Sequence, residues 1–291
     1  MLNHKNWLEI VNAKGTNVCA GIDPAIHGMG RGELGLDAGT DRKEWTLRYI
    51  DAVKDHVAAF KINLKYWLYD ADILEIVSYI KSLEIPVLID SKIADIGDTN
   101  DAEFYSQQSI GADAVTLSPL PGNIANSIKS SLKHKLGCFV MCLMSNPEFD
   151  QMKQAQCRLS DEEASLFDED DLVSIKGKYH VPLYLYLMME STKHGATGVV
   201  IGATGHITEK EIRQAKKYAS EETLVLSPGM GKQGGEAGTL QRVFPPQNII
   251  FSVSRGLMFP QGRHSSPQEQ NEAAVFYKNL INNTNIKRKS A

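Results

Sequence analysis

Eight short runs of apolar, β-branched residues recur along the chain, and the lengths between them limit the folds open to it. The runs are Asn17–Pro24, His56–Asn63, Pro86–Ile93, Ala114–Pro119, Gly137–Met144, Thr197–Ala203, Thr223–Gly229 and Asn248–Ser254. Near-continuous Val, Ile and Leu fit parallel strands covered on both faces. Most intervals are long enough for a crossover helix. Asp70–Leu83 carries Ile73, Leu74, Ile76, Val77 and Ile80 as a stripe at helical spacing, and Glu209–Ala219 reads as another helix. Eight strand–helix units predict an α/β fold of the (β/α)8 TIM-barrel type; an open, doubly wound sheet is the alternative. The 291 residues suit one such domain, since a closed barrel takes about 250. No repeat or low-complexity linker marks a second domain. Residues 1–291 are therefore expected to form a single barrel, with a flexible tail from about 280 to 291 around Lys287-Arg288-Lys289.

Two connections are too long for plain crossovers. Pro24–Lys43 is rich in glycine, and Asn146–Pro182 is polar and acidic in its middle. Each follows the C-terminal end of a strand, the face that carries the active site in a barrel, where long loops often act as lids. Either loop is read as a lid or as an inert surface insertion, with the second inclining to a lid. Its Gly28-x-Gly30-x-Gly32 precedes no helix in the register of a nucleotide fingerprint, so a flexible loop is the reading. The acidic run Asp168-Glu169-Asp170-Asp171 is read as a solvated face.

Several function classes drop out. A net charge of −4 argues against a dedicated nucleic-acid binder. No apolar stretch approaches the roughly 20 residues that cross a bilayer, and the N-terminus has no signal-peptide core. The four cysteines form no C-x-x-C pair and read as reduced thiols, so a cytoplasmic protein is expected. No His/Asp/Glu spacing resembles a metal site.

The third run ends in Asp90-Ser-Lys92-Ile-Ala-Asp95-Ile96-Gly-Asp-Thr99. Asp90 and Lys92 are two apart on a strand, so both side chains point into the barrel mouth. Lys61 ends the neighbouring second run and can approach both, and Asp95 follows just beyond the strand end. Buried charges are costly unless paired. An alternating Lys–Asp–Lys–Asp array pairs them, and its carboxylates favour the ammonium form of Lys92. Such an ammonium can stabilise, and protonate, negative charge developing on carbon. A salt-bridge network that merely closes the barrel end is the competing account of the same geometry.

The pattern Asp90-x-Lys92-x-x-Asp95-Ile96-x-x-Thr99 resembles that of the orotidine 5′-phosphate decarboxylases, and the resemblance extends from the first run to the eighth. It implies decarboxylation of orotidine monophosphate to UMP without metal or organic cofactor, with Lys61, Asp90, Lys92 and Asp95 as the catalytic tetrad and Lys92 as proton donor to C6 of the pyrimidine. It also implies a homodimer in which Asp95, Ile96 and Thr99 reach the partner's site. Asp23, before Pro24 at the end of the first run, would bind the ribose together with Lys61, and Ser145 would meet the pyrimidine edge. Gln233 and Arg255 would grip the 5′-phosphate, with the backbone of Ser254 nearby. Loops after strands 7 and 8 commonly hold phosphate in barrels even without that likeness. Many relatives carry glycine where this chain has Ser254. Related phosphosugar decarboxylases and hexulose-phosphate synthases share D-x-K-x-x-D but use Mg2+ bound by a carboxylate at the end of strand 2, where this chain has Lys61. A catalytically silent phosphoribosyl-binding barrel would keep the phosphate loop and lose the charged array; here the array is complete.

Overall fold

The structure is a computed structural model and describes residues 1–26, 28–29, 31–68, 70–229 and 237–289. In chain order the helices are α1 (His4–Lys14), α2 (Arg42–Val53), α3 (Asp72–Ser82), α4 (Gly97–Ser109), α5 (Ile124–Lys133), α6 (Phe149–Lys153), α7 (Asp161–Ala164), α8 (Leu183–Lys193), α9 (Glu209–Lys217), α10 (Ala237–Val243), α11 (Arg255–Met258) and α12 (Pro267–Lys289). The strands are β1 (Val18–Ile22), β2 (Ala59–Asn63), β3 (Val87–Ile93), β4 (Ala114–Leu117), β5 (Gly137–Leu143), β6 (Gln156–Arg158), β7 (Val173–Ile175), β8 (Lys178–Pro182), β9 (Gly198–Ile201), β10 (Leu224–Pro228) and β11 (Ile249–Val253). Each of the eight apolar runs contains one barrel strand. All pair in parallel, and the sheet closes in the order β1-β2-β3-β4-β5-β9-β10-β11. The chain is therefore a TIM barrel, and the open-sheet alternative fails because β1 bonds to both β2 and β11.

Strand periodicity of two sorts the core into layers. Val18, Phe60, Ile89, Val140, Val199, Val225 and Phe251 face outward, against the helices. Cys19, Ala59, Leu88, Ala114, Phe139, Val200, Leu226 and Ile250 face inward and fill the barrel. At the N-terminal end α1 plugs the barrel: Leu2 and Trp7 pack on this inner cluster, and the Trp7 indole donates to the Gln247 carbonyl. Asn3 and Asn6 form a reciprocal cap at the start of α1. Cys138 and Cys142 lie on the outer face of β5 and are buried, and all four cysteines are free thiols.

Three segments differ from their sequence reading. The stretch from about 280, expected as a tail, continues α12; Ile281 is fully buried and its carbonyl accepts from the Gln241 amide. Asn146–Pro182 is not an open lid but a folded insertion, with β6, β7 and β8 forming an antiparallel sheet in the order β6-β8-β7. It is fastened to the outside of α9. Lys153 pairs with Glu211, which also closes the capping box of α9 with Thr208. The acidic run is not wholly solvated either. Asp171 is buried and accepts hydrogen bonds from Tyr218 (2.7 Å), Gln214 (2.8 Å) and Lys217 (3.1 Å). No described helix is long and apolar enough to cross a membrane.

Removing the Asp171 carboxylate strands two donors at this seam, the Gln214 amide and the Tyr218 hydroxyl, while Lys217 keeps its ion pair with Asp168. Asp171→Ala is expected to lower unfolding free energy by about 2 kcal/mol and the melting temperature by about 3 °C. Calorimetry showing a change below about 1 °C would mean that the insertion is not held through this residue.

Candidate active site

One strand step toward the C-terminal end from the inner apolar layer, the inward positions turn polar: Lys61 on β2, Asp90 on β3 and Thr116 on β4. Lys61 Nζ lies 2.9 Å from Asp90 Oδ2, and Lys92 Nζ lies 2.7 Å from Asp90 Oδ1. The Thr116 hydroxyl donates to the same Oδ1 (2.9 Å) and accepts from the Lys92 backbone N–H (2.9 Å). Asp90 thus bridges two lysines, as the spacing predicts. Lys61 is 6% exposed, while the Lys92 side chain is 39% exposed. Lys61 is walled in and Lys92 faces the opening.

Lys92 reaches that place by an irregular backbone. Its φ is +52°, and the β3–β4 register slips between Ile89 and Ile93. A side-chain-bearing residue in the left-handed region costs about 1 kcal/mol. The Thr116 bond to the Lys92 amide holds it there. Thr116 was missed at the sequence level. Its signal was available: it sits at the same inward parity as Asp90, within an otherwise apolar run.

Burial alone would disfavour the Asp90 carboxylate, but the Lys61 and Lys92 ammonium groups outweigh it and hold Asp90 well below the usual carboxylate range. Burial likewise opposes charge on Lys61, and Asp90 and Asp23 overcome it, leaving Lys61 above its ordinary value. Just beneath, burial pushes the Cys19 thiol up to about 12, so it adds no competing anion.

The array opens on two adjoining cavities. One, of about 290 Å³, sets Asp90, Lys92 and Thr116 against an apolar wall of Met141, Met144, Val200 and Leu226, with Ser145 at its rim. The other, of about 760 Å³, is lined by Asp23, Arg31, Ser254 and Arg255 among others. Lys61, Ser145 and Pro228 line both. From the insertion, only Asn146 lines either cavity.

Asp23 is buried. Its Oδ2 is engaged by the Arg31 guanidinium, whereas its Oδ1 has no partner. Arg31 also donates to the Tyr66 hydroxyl (2.8 Å) and lies over that ring. Nothing in the sequence marked Arg31, a lone arginine among glycines. The Gly-rich loop that carries it is pinned from the far side by Arg263, which bonds Asp37 and the Gly32 carbonyl. Ser254 rests on β1: a Cβ at Gly21 would lie 1.9 Å from the Ser254 Oγ, so this serine needs glycine opposite. Arg255 is exposed, and its guanidinium makes no hydrogen bond or ion pair among the described residues. Gln233 lies outside the described residues.

Asp95, Ile96 and Thr99 are not brought to the array within one chain. All three are exposed, Ile96 at 60%. Among the described residues Asp95 Oδ1 accepts from the Ile96 N–H, and the Asn100 side chain anchors the Asp95 amide.

The model of the orotidine 5′-phosphate decarboxylase / HUMPS family matches residues 16–258, from the start of β1 through α11. The chain belongs to this family. The orotidine 5′-phosphate decarboxylase of Verminephrobacter eiseniae is 30% identical over 274 residues, covering 89% of this chain and 90% of that protein. The one from Halorubrum lacusprofundi is 28% identical, covering 91% and 90%. The OMP decarboxylase of Leishmania donovani superposes with a TM-score of 0.71 at 21% identity, covering 98% of this chain and 99% of that one. The Methanocaldococcus jannaschii enzyme complexed with the inhibitor BMP gives 0.63 at 21%, covering 91% and 98%. These two share the barrel.

The Asp90 bridge has a pH signature. With its pKa depressed, Asp90 contributes stability above the unfolded value near 4, and this contribution is lost as pH falls through the lower folded value. Lys61, raised, contributes below the unfolded value near 10.4, and this is lost as pH climbs past its folded value. Asp90→Asn leaves buried Lys61 beside Lys92 without its carboxylate, and is expected to cost about 3 kcal/mol at pH 7. Lys61 then folds more readily when neutral, so the deficit shrinks toward pH 10. Urea titrations that show the same deficit at pH 7 and pH 9.5 would contradict the charge-pairing account.

Proposed function

We propose that this chain converts orotidine 5′-phosphate to UMP and CO2, as a carboxy-lyase of pyrimidine nucleotide synthesis. The observation that carries the reading is the Lys61–Asp90–Lys92 array at the junction of an apolar cavity and a polar one. A flat pyrimidine suits the first and a ribose phosphate the second. Membership of the family and the names of its relatives support the substrate.

In this reading the bond between C6 and the carboxylate carbon breaks, its electron pair stays on C6, and CO2 leaves. The Lys92 Nζ, which points to the open side of the array, gives C6 a proton. An ammonium about 3 Å from the forming anion contributes roughly 5 kcal/mol at an effective dielectric near 20. Asp90 orients Lys92 and sits beside the departing carboxylate. The unpartnered Asp23 Oδ1 accepts a ribose hydroxyl, assisted by Lys61. Ser145 meets the pyrimidine edge. Arg255, with its guanidinium uncommitted, and Gln233 take the 5′-phosphate, with the Ser254 backbone beside them. Binding energy from that remote group positions the ring. Lys61, placed where the metal-using relatives carry a carboxylate, would repel a metal cation, and the charged array takes the metal's place beside the forming anion.

The working unit is a homodimer in which Asp95, Ile96 and Thr99 complete the partner's site. Their exposure supports this, as do Leu120 (73% exposed) and Tyr105 (62% exposed) on the same flank of the barrel. Its place of work is the cytoplasm, where buried thiols stay reduced.

Incubating the purified chain with orotidine monophosphate and following the ultraviolet change tests the activity. Lys92→Ala is expected to lower turnover by about a thousandfold or more while UMP still binds; turnover within tenfold of wild type would remove Lys92 from its role. Mixing Asp95→Ala and Lys92→Ala subunits, each nearly inactive alone, is expected to restore one working site per heterodimer. Absence of any recovery would sink the shared-site assembly.

A further inference from the structure

Tyr277 projects from α12, past the end of the family match at 258, into the polar cavity. Tyr277 is 2% exposed overall; its ring is packed, while its hydroxyl, without a hydrogen bond to another described residue, borders the open cavity. The hydroxyl lies against Gly256, where a Cβ would meet it at 2.2 Å. It therefore sits on the backbone of the residue that follows Arg255, and Ser254, Arg255 and Gly256 line the same cavity. The helix that carries it is held in place: Gln270 donates to the Met258 carbonyl (2.9 Å), and Ala274 and Ile281 are buried beside it. The phenol is presented by a fixed scaffold rather than a loop.

We infer that Tyr277 is a further binding residue for the phosphate end of the ligand, donating its O–H to a phosphate oxygen next to Arg255. This rests on the reading of the Arg255 loop as the phosphate site and adds a donor that the loop itself does not supply. Burial raises the Tyr277 phenol above its ordinary value, so it remains a donor at neutral pH. A phosphate dianion offers acceptors only, and a neutral donor reaches it without adding a charge that must be desolvated.

The test is Tyr277→Phe, which removes one oxygen, with calorimetric affinities for UMP, uridine and inorganic phosphate. UMP is expected to bind about tenfold more weakly, inorganic phosphate to weaken in step, and uridine to be unchanged. Placing 4-aminophenylalanine at 277, which restores a donor, is expected to recover most of the UMP affinity. The melting temperature should hold or rise, because the hydroxyl has no partner to lose. Unchanged UMP affinity, equal losses for UMP and uridine, or a melting temperature lower by several degrees would each overturn the inference. If wild-type protein binds UMP no better than uridine, the phosphate reading itself fails; if it prefers UMP and the Phe variant keeps that preference, only the role of Tyr277 fails.

Discussion

One carboxylate holds the mouth of this barrel together. Asp90 accepts from Lys61 on one oxygen and from Lys92 and Thr116 on the other. Two cations this close could not both stay charged in a partly dry setting without it. The arrangement divides labour between them. Lys61 is enclosed and tied to the side where Asp23 and Arg31 meet, whereas Lys92 stands at the opening with its backbone in an uncommon conformation. The barrel supplies the rigidity that keeps both in place: neighbouring parallel strands present Lys61, Asp90 and Thr116 on the inner face, and the apolar layer below shuts out water from underneath.

Most of the barrel was legible because parallel strands buried on both faces must be apolar almost without interruption, and that pattern survives in a single sequence. The charged array was legible for the complementary reason: Lys61, Asp90 and Lys92 break such runs at inward positions, where a charge has no bland explanation. Arg31 was invisible because its role depends on how a glycine-rich loop folds back over Asp23. The insertion stayed ambiguous in the sequence because polarity marks both lids and small surface sheets. Only the tertiary bonds of Lys153 and Asp171 to α9 distinguish them. Near the start of the stretch read as a tail, Ile281 is buried, which the basic residues that follow it hide in the sequence. Asp95, Ile96 and Thr99 were found by pattern alone; within one chain no geometry gathers them.

Close approach at glycine recurs around the polar cavity. Gly21 leaves room for Ser254, and Gly256 leaves room for Tyr277. In both cases a side chain lies directly on a neighbouring backbone, which draws β1, the segment after β11, and α12 into one wall. A chain with glycine at 254 would place no such demand on position 21. The two positions are therefore expected to vary together rather than singly.

The hairpin of the insertion turns in two residues, Lys176 and Gly177, both with positive φ (+52° and +73°). Turns of this kind suit a tightly twisted two-residue connection, and this one stands at the solvent end of a sheet whose base is bolted to the helical jacket. New sequence spliced between those two residues would be carried outside the barrel wall. The insertion thus offers a handle for an epitope, a fluorophore or a surface tether that leaves the barrel and its α1 plug untouched.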